Sequence, residues 1–199
     1  MSRSLTEKNI LSDLWLSFID GNNNAFSEIY KLSYKNLYTY GLSFKIHEEQ
    51  VRDIIQDLFI KLYTNPKLVK DTSTIKPFLL KAMRNSCLNI LKAEQRLLNM
   101  NSIECFEIKY SIKEDLIENK EKEDHIKSVI DRILSQITPR QREIIYLRFL
   151  HQMEYEEIAR IMNLSEQSAR NLTHRAIEKI RKDNSDYEFL LFVIFVVIQ

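Results

Sequence analysis

Between Glu156 and Ile180 an apolar period of helical spacing runs, breaks for three residues and restarts. Ile158, Ile161 and Met162 carry its first part; Asn163, Leu164 and Ser165 interrupt it; Ala169, Leu172, Ala176, Ile177 and Ile180 carry the second. Two amphipathic helices joined by so short a turn must cross steeply, which predicts a helix-turn-helix. Ala159 is small enough to permit close approach at the crossing, Ser165 is a good N-cap, and Glu166 suits the positive end of the second helix's dipole. The free face of that helix carries Gln167, Arg170, Asn171, His174, Glu178 and Arg181, with Arg175 alongside. Arginine and asparagine are the side chains that pair with guanine and adenine edges in the major groove. Lys179, Arg181 and Lys182 are placed for phosphates at the helix end. An ordinary hairpin with a solvated charged face would also give such a stripe. The coincidence of turn, small residue and Arg/Asn face favours DNA.

The rest of the chain is predicted to be helical too. Only 2 Gly and 3 Pro punctuate 199 residues, too few for hairpins and turns. Residues 4–20 read as a first helix, with Leu11, Leu14, Trp15 and Phe18 as its stripe. Asn24 is the expected N-cap of a second, through Phe26, Ile29, Tyr30 and Leu37. A third runs from about His47 to Tyr63, residues 64–74 form a loop, and a fourth runs from about Ile75 to Asn99, with Pro77 in its first turn. Residues 100–124 are acid-rich and weakly apolar and read as a flexible linker or a solvated helix start. An amphipathic segment, 125–137, precedes Thr138, a cap with Pro139 at the first helical position and Ile144, Ile145, Leu147 and Phe149 beyond. The expected fold is therefore all-α: two small helical domains, 4–99 and 125–182, joined by a linker over 100–124 and followed by an apolar tail over 183–199.

With this frame, residues 137–182, from "ITPRQREIIYLRF" through "YEEIARIMNLS", resemble the C-terminal promoter-reading domain of bacterial RNA polymerase sigma factors. "VRDIIQDLFIKLY" (51–63) resembles the polymerase-binding helix of the sigma-70 family, whose pattern places acid, Gln, acid and aromatic at Asp53, Gln56, Asp57 and Phe59. "IKPFLLKAMRNSCLNILKAEQR" (75–96) resembles the element that melts and reads the −10 region. Two domains and a short linker are similar to the extracytoplasmic-function (ECF) subfamily. The resemblance implies core polymerase contact through Asp53, Gln56, Asp57 and Phe59. It implies −10 recognition and melting through Lys70, Asp71, Thr72, Ser73 and Thr74 of the preceding loop and through Lys76, Phe78, Lys81, Arg84, Asn85 and Lys92. It implies −35 recognition through Ser165, Gln167, Arg170, Asn171, His174, Arg175 and Lys182. The implied partners are core RNA polymerase, double-stranded promoter DNA, the melted −10 strand and an anti-sigma factor. The chain departs from the pattern at Phe78, where the family often has Trp, and at Asn89, where it often has Asp.

Physical chemistry supports parts of this independently. Asp53, Gln56 and Asp57 share one stripe of a helix, opposite Ile54, Ile55 and Leu58. Lys76, Lys81, Arg84, Lys92 and Arg96 outweigh Glu94 over 75–96, which suits a phosphate-tracking surface. A net charge of +1 requires nucleic-acid binding to use such local stripes. The four histidines are dispersed, and Cys87 and Cys105 lack ligand spacing, so neither a metal nor a cofactor is expected. No nucleophile or phosphate-loop motif points to an enzyme. The N-terminus does not read as a secretory leader, so the expected location is cytoplasmic. The apolar run 189–198 is about half the length needed to cross a bilayer, so an integral membrane protein is not expected; the run is expected to pack on the chain's own helices or under a partner. A stand-alone helix-turn-helix regulator and an all-helical enzyme are the alternatives.

Overall fold

The computed structural model describes residues 2–69, 71, 74–98, 105–108 and 120–198. The described residues are helices and connecting turns: α1 (Ser2–Ile19), α2 (Asn23–Leu42), α3 (Glu48–Thr64), α4 (Ile75–Leu98), α5 (Lys120–Gln136), α6 (Pro139–Ile145), α7 (Tyr155–Met162), α8 (Glu166–Asp183) and α9 (Asp186–Ile198). The all-α expectation holds among them. The chain divides into two compact units, Met1–Cys105 with Arg160–Asn163, and Phe106–Ala159 with Leu164–Gln199.

In the first unit α2 packs against α1, α3 and α4, and α3 packs against α4. The expected stripes supply the core: Leu11, Trp15, Ile29, Leu37, Val51, Ile55 and Leu62 are all buried. Gly41 lets α2 come close to its neighbours. A Cβ there would lie 2.2 Å from Met83 Cε and 2.9 Å from Val51 Cγ1. The N-cap of α2 is Asn22 rather than Asn24. The Asn22 side chain accepts from the Asn24 backbone N–H at 3.1 Å, and its own extended backbone precedes the first helical residue. Residues 64–74, expected as loop, contain a 3-10 turn at Pro66–Leu68.

In the second unit α8 packs on α6, and α5 packs against α8 and α9. Thr138 caps α6 reciprocally. Its Oγ1 accepts from Gln141 N at 3.2 Å, while Gln141 Oε1 accepts from Thr138 N at 3.0 Å. The helix expected to run on from there widens into a π-helical turn, Tyr146–Leu150, closed by His151 N donating to Tyr146 O at 3.1 Å. Helix α5 begins five residues before the expected start, so Lys120–Asp124, assigned to the linker by composition, are helical. The tail is helical as well. It lies against α5, α8 and the π turn, with Phe192 buried beneath it. No described helix is long and apolar enough to cross a membrane.

Candidate nucleic-acid interface and the groove between α3 and α4

The helix-turn-helix closes as its sequence requires. Helix α7 ends at Met162, and Asn163 just past it has a φ of +52°, in the left-handed region. Leu164 N then donates back to Ala159 O at 2.9 Å, the terminating bond of a Schellman cap. Two residues on, Ser165 Oγ accepts from Ser168 N at 3.1 Å and starts α8. The buried face of α8 is Ala169, Thr173, Ala176 and Ile180. Leu172 and Ile177, expected there, are only half buried. Thr173 takes the space between them because its hydroxyl donates to Ala169 O at 3.0 Å and leaves no polar group unpaired.

Ser165, Gln167, Arg170, Asn171, His174, Arg175 and Lys182 are all exposed. Several are already held in place. Gln167 Nε2 donates to Asn171 Oδ1 at 2.9 Å, and Arg175 Nε donates to Asn171 O at 3.3 Å. Arg170 pairs with Glu166 one turn back, and His174 lies 3.2 Å from Glu178. Towards the end of α8 a shallow concavity is lined by Arg175, Lys179, Arg181 and Lys182 against Glu178 and Asp183. Cations at the C-terminal end of a helix also meet the negative end of its dipole.

In the first unit a groove runs between α3 and α4. Asp53, Asp57 and Lys61 form one wall, Phe78, Ala82, Ser86 and Asn89 the other, with Leu58, Leu68 and Ile90 between. Gln50 Nε2 donates to Glu94 Oε1 at 3.3 Å and ties the two helices. Asp53, Gln56 and Asp57 are exposed, as expected for a contact stripe. Phe59 is not beside them. It is 4% exposed and meets the rings of Phe26 at 5.7 Å and Tyr30 at 4.9 Å, so it fixes the helix from within.

The basic row on α4 divides in the same way. At about 100° per residue, Lys81, Asn85 and Lys92 fall within roughly 40° of one another, with Phe78 beside them. Lys76 falls on the opposite side and is 9% exposed, so it is not part of that row. Arg84 is half buried at the row's edge. In the preceding loop, Thr74 Oγ1 donates to Asp71 O at 2.5 Å; Lys70, Thr72 and Ser73 lie outside the described residues. Among the described residues no cluster of His, Cys, Asp and Glu could hold a metal ion. The sequence reading gives no role to Tyr155 or Arg148, which turn out to touch the α8 face. The only signal for them was an aromatic at the first residue of α7.

The family profile described as "Sigma-70, region 4" matches residues 127–180, which run from within α5 through α6, the π-helical turn and α7 to near the end of α8. ECF RNA polymerase sigma factor SigM of Bacillus subtilis (strain 168) is 23% identical over 157 residues, covering 79% of this chain and 93% of that protein. RNA polymerase sigma factor SigV of the same organism is 24% identical over 150 residues, covering 74% and 83%. The chain is thus similar over its C-terminal part to region 4 of the sigma-70 family, and over most of its length to ECF sigma factors. The fold agrees with that of CnrH, solved in complex with the cytosolic domain of CnrY. That likeness has a TM-score of 0.56 at 19% identity and covers 86% of this chain and 94% of CnrH.

Proposed function

We propose that this chain is a sigma factor of the ECF group that reads the −35 element with the exposed face of α8, the −10 element with α4 and the loop before it, and binds core RNA polymerase along α3 to direct promoter-specific initiation. It does no chemistry itself; the polymerase does. The observation that carries the reading is the α8 face. Gln167, Arg170, Asn171, His174 and Arg175 project together from a helix capped at Ser165, and the cations of the far end follow them. Side chains near the start of such a helix reach base edges, and those at its end reach phosphates. On α3, Asp53 and Asp57 stand over the groove and Gln56 beside it, a surface that suits a basic helix of the polymerase. The resemblance to sigma factors makes an anti-sigma protein a further expected partner of this chain, and CnrH, of like fold, was solved with the cytosolic domain of another protein, CnrY. A cytoplasmic location follows from this role.

In vitro transcription by the reconstituted holoenzyme on a library of −35 variants tests this. Arg170→Ala is expected to relax preference at one or two adjacent base pairs, since a bidentate pair is worth ~1–3 kcal/mol. Lys182→Ala is expected to weaken all sequences alike and to reduce the salt dependence. The paired reversal Asp53→Lys, Asp57→Lys is expected to lower the yield of holoenzyme in the same reconstitution. Specific promoter binding by the isolated chain, with no gain from polymerase, would instead favour a stand-alone regulator.

A further inference from the structure

Three side chains from three elements make a stack across the helix-turn-helix. Tyr155, the first residue of α7, presents one ring with two guanidinium groups within cation–π distance: Arg148 at 4.8 Å and Arg170 at 4.6 Å from its centroid. Arg148 is fixed by the backbone beneath the ring. Its Nη1 donates to Met153 O at 2.6 Å and reaches Glu154 Oε2 at 3.3 Å. Arg170 is held more loosely. Its two described holds are the ring and Glu166, whose Oε1 accepts from Nε at 3.2 Å and from Nη2 at 2.5 Å. Both Arg170 and Glu166 have about half of their side-chain surface in solvent.

We propose that Tyr155 is a positioning residue for base readout: its ring fixes the direction from which the Arg170 guanidinium enters the major groove. This rests on the reading of α8 given above. An exposed arginine has several rotatable bonds, and ordering them on binding opposes affinity. A ring that already holds the planar guanidinium removes part of that cost, and it does so without touching DNA. The Glu166 carboxylate occupies the same donors that a guanine edge would use. On a cognate base pair Arg170 exchanges Glu166 for the base and keeps the ring. On a wrong base pair it stays with Glu166. Ring and carboxylate therefore act together on discrimination, the first by direction and the second by competition.

The test uses the full chain in holoenzyme on the −35 library, with variants Arg170→Ala, Tyr155→Leu, Tyr155→Phe and the double variant. Tyr155→Phe keeps the ring and is expected to keep the wild-type profile. Tyr155→Leu is expected to lose roughly two- to fivefold in discrimination, the scale of an exposed cation–π contact, at the same base pairs that Arg170→Ala flattens. In the Arg170→Ala background, Tyr155→Leu is expected to change nothing further in the profile. Progressive fluorination of Phe at 155 weakens the ring quadrupole without removing the ring, so it covers the case in which Tyr155→Leu fails to fold; discrimination is expected to fall stepwise along that series. Flattening by Arg170→Ala with an unchanged profile in Tyr155→Leu and in the fluorinated series overturns the positioning role alone. An unchanged profile in Arg170→Ala overturns the base-reading role of α8 through that residue, and this inference with it.

Discussion

A single residue sets where α8 begins. Asn163 adopts φ +52°, and the backward bond from Leu164 N to Ala159 O depends on that turn of the chain. The left-handed region costs an ordinary L residue roughly 1–2 kcal/mol, while Gly is free there and Asn is tolerated. Asn163→Gly is therefore expected to leave stability unchanged or slightly raised, and Asn163→Val to lower it by about 1–2 kcal/mol, as followed by far-UV circular dichroism in urea. Equal midpoints for the two variants would mean the turn relaxes without its left-handed residue. That Asn163 ends a helix is legible in the sequence, because the apolar period stops there and Ser165 restarts it. Its sign of φ and the ring contact made by Tyr155 are not. A stripe analysis assigns residues to faces, whereas Arg148, Tyr155 and Arg170 come from three elements and meet only in three dimensions.

Among the elements, those with reciprocal caps are the ones whose starts a sequence gives away. Thr138 with Gln141 begins α6 as expected. Ser185 with Glu188 starts α9 by the same reciprocal pairing, just ahead of the apolar run. Ser185 N donates to Glu188 Oε2 at 3.0 Å, and Glu188 N donates to Ser185 Oγ at 3.4 Å. The tail is then tied to α5 at its polar end. Arg132 bonds both Glu188 and Asn184, and Asn184 Nδ2 donates to Gln136 Oε1 at 2.7 Å. The Ser185 N–H, with Arg132 beside it, holds the Glu188 carboxyl below the ordinary glutamate value. A group whose pKa is depressed by folding contributes stability that is present above its unfolded pKa and lost as pH falls through the folded one. Hydrogen exchange of the α9 amides, corrected for intrinsic rate, is thus expected to accelerate as pH drops below the usual glutamate range. In Glu188→Gln this acid-side acceleration is expected to be absent and protection lower at neutral pH. Identical pH profiles for the two proteins would remove Glu188 from the tail's attachment. Boundaries that lack caps, such as the start of α5 inside an acid-rich segment, are where composition misleads, since a solvated first turn and a linker use the same residues.

On the scale of the molecule, the decisive segment is the one between the units. Averaged over 100–124, its composition reads as a single flexible connection, and that average conceals Phe106 and Ile108, which alternate as on a strand. Both are buried, at 2% and 7% exposure, and Phe106 sets its ring edge-on to Tyr146 at 5.6 Å. Arg142 holds the backbone there. Its Nη1 donates to Phe106 O at 3.2 Å, while its Nε donates to Leu134 O at 2.8 Å and to Ile137 O at 3.2 Å. One guanidinium thus joins the segment to the corner between α5 and α6. The second unit consequently starts at Phe106, so that seven residues rather than twenty-one lie between the last residue of α4 and the next anchored point of the chain. Burial of a Phe side chain is worth ~1.5–3 kcal/mol relative to exposure, enough to hold a short extended segment in place but less than a domain's stability. Phe106→Ala is therefore expected to release 105–108 locally while α5, α6 and α8 stay folded. Limited proteolysis is expected to cut the variant within this segment at rates where the wild type resists, and the Ile108 amide is expected to exchange faster. Arg142→Ala is expected to do the same to a smaller degree and to loosen the α5–α6 corner as well. If both variants resist cleavage as the wild type does, the ring and the guanidinium are not what holds the segment, and the second unit's boundary belongs at α5.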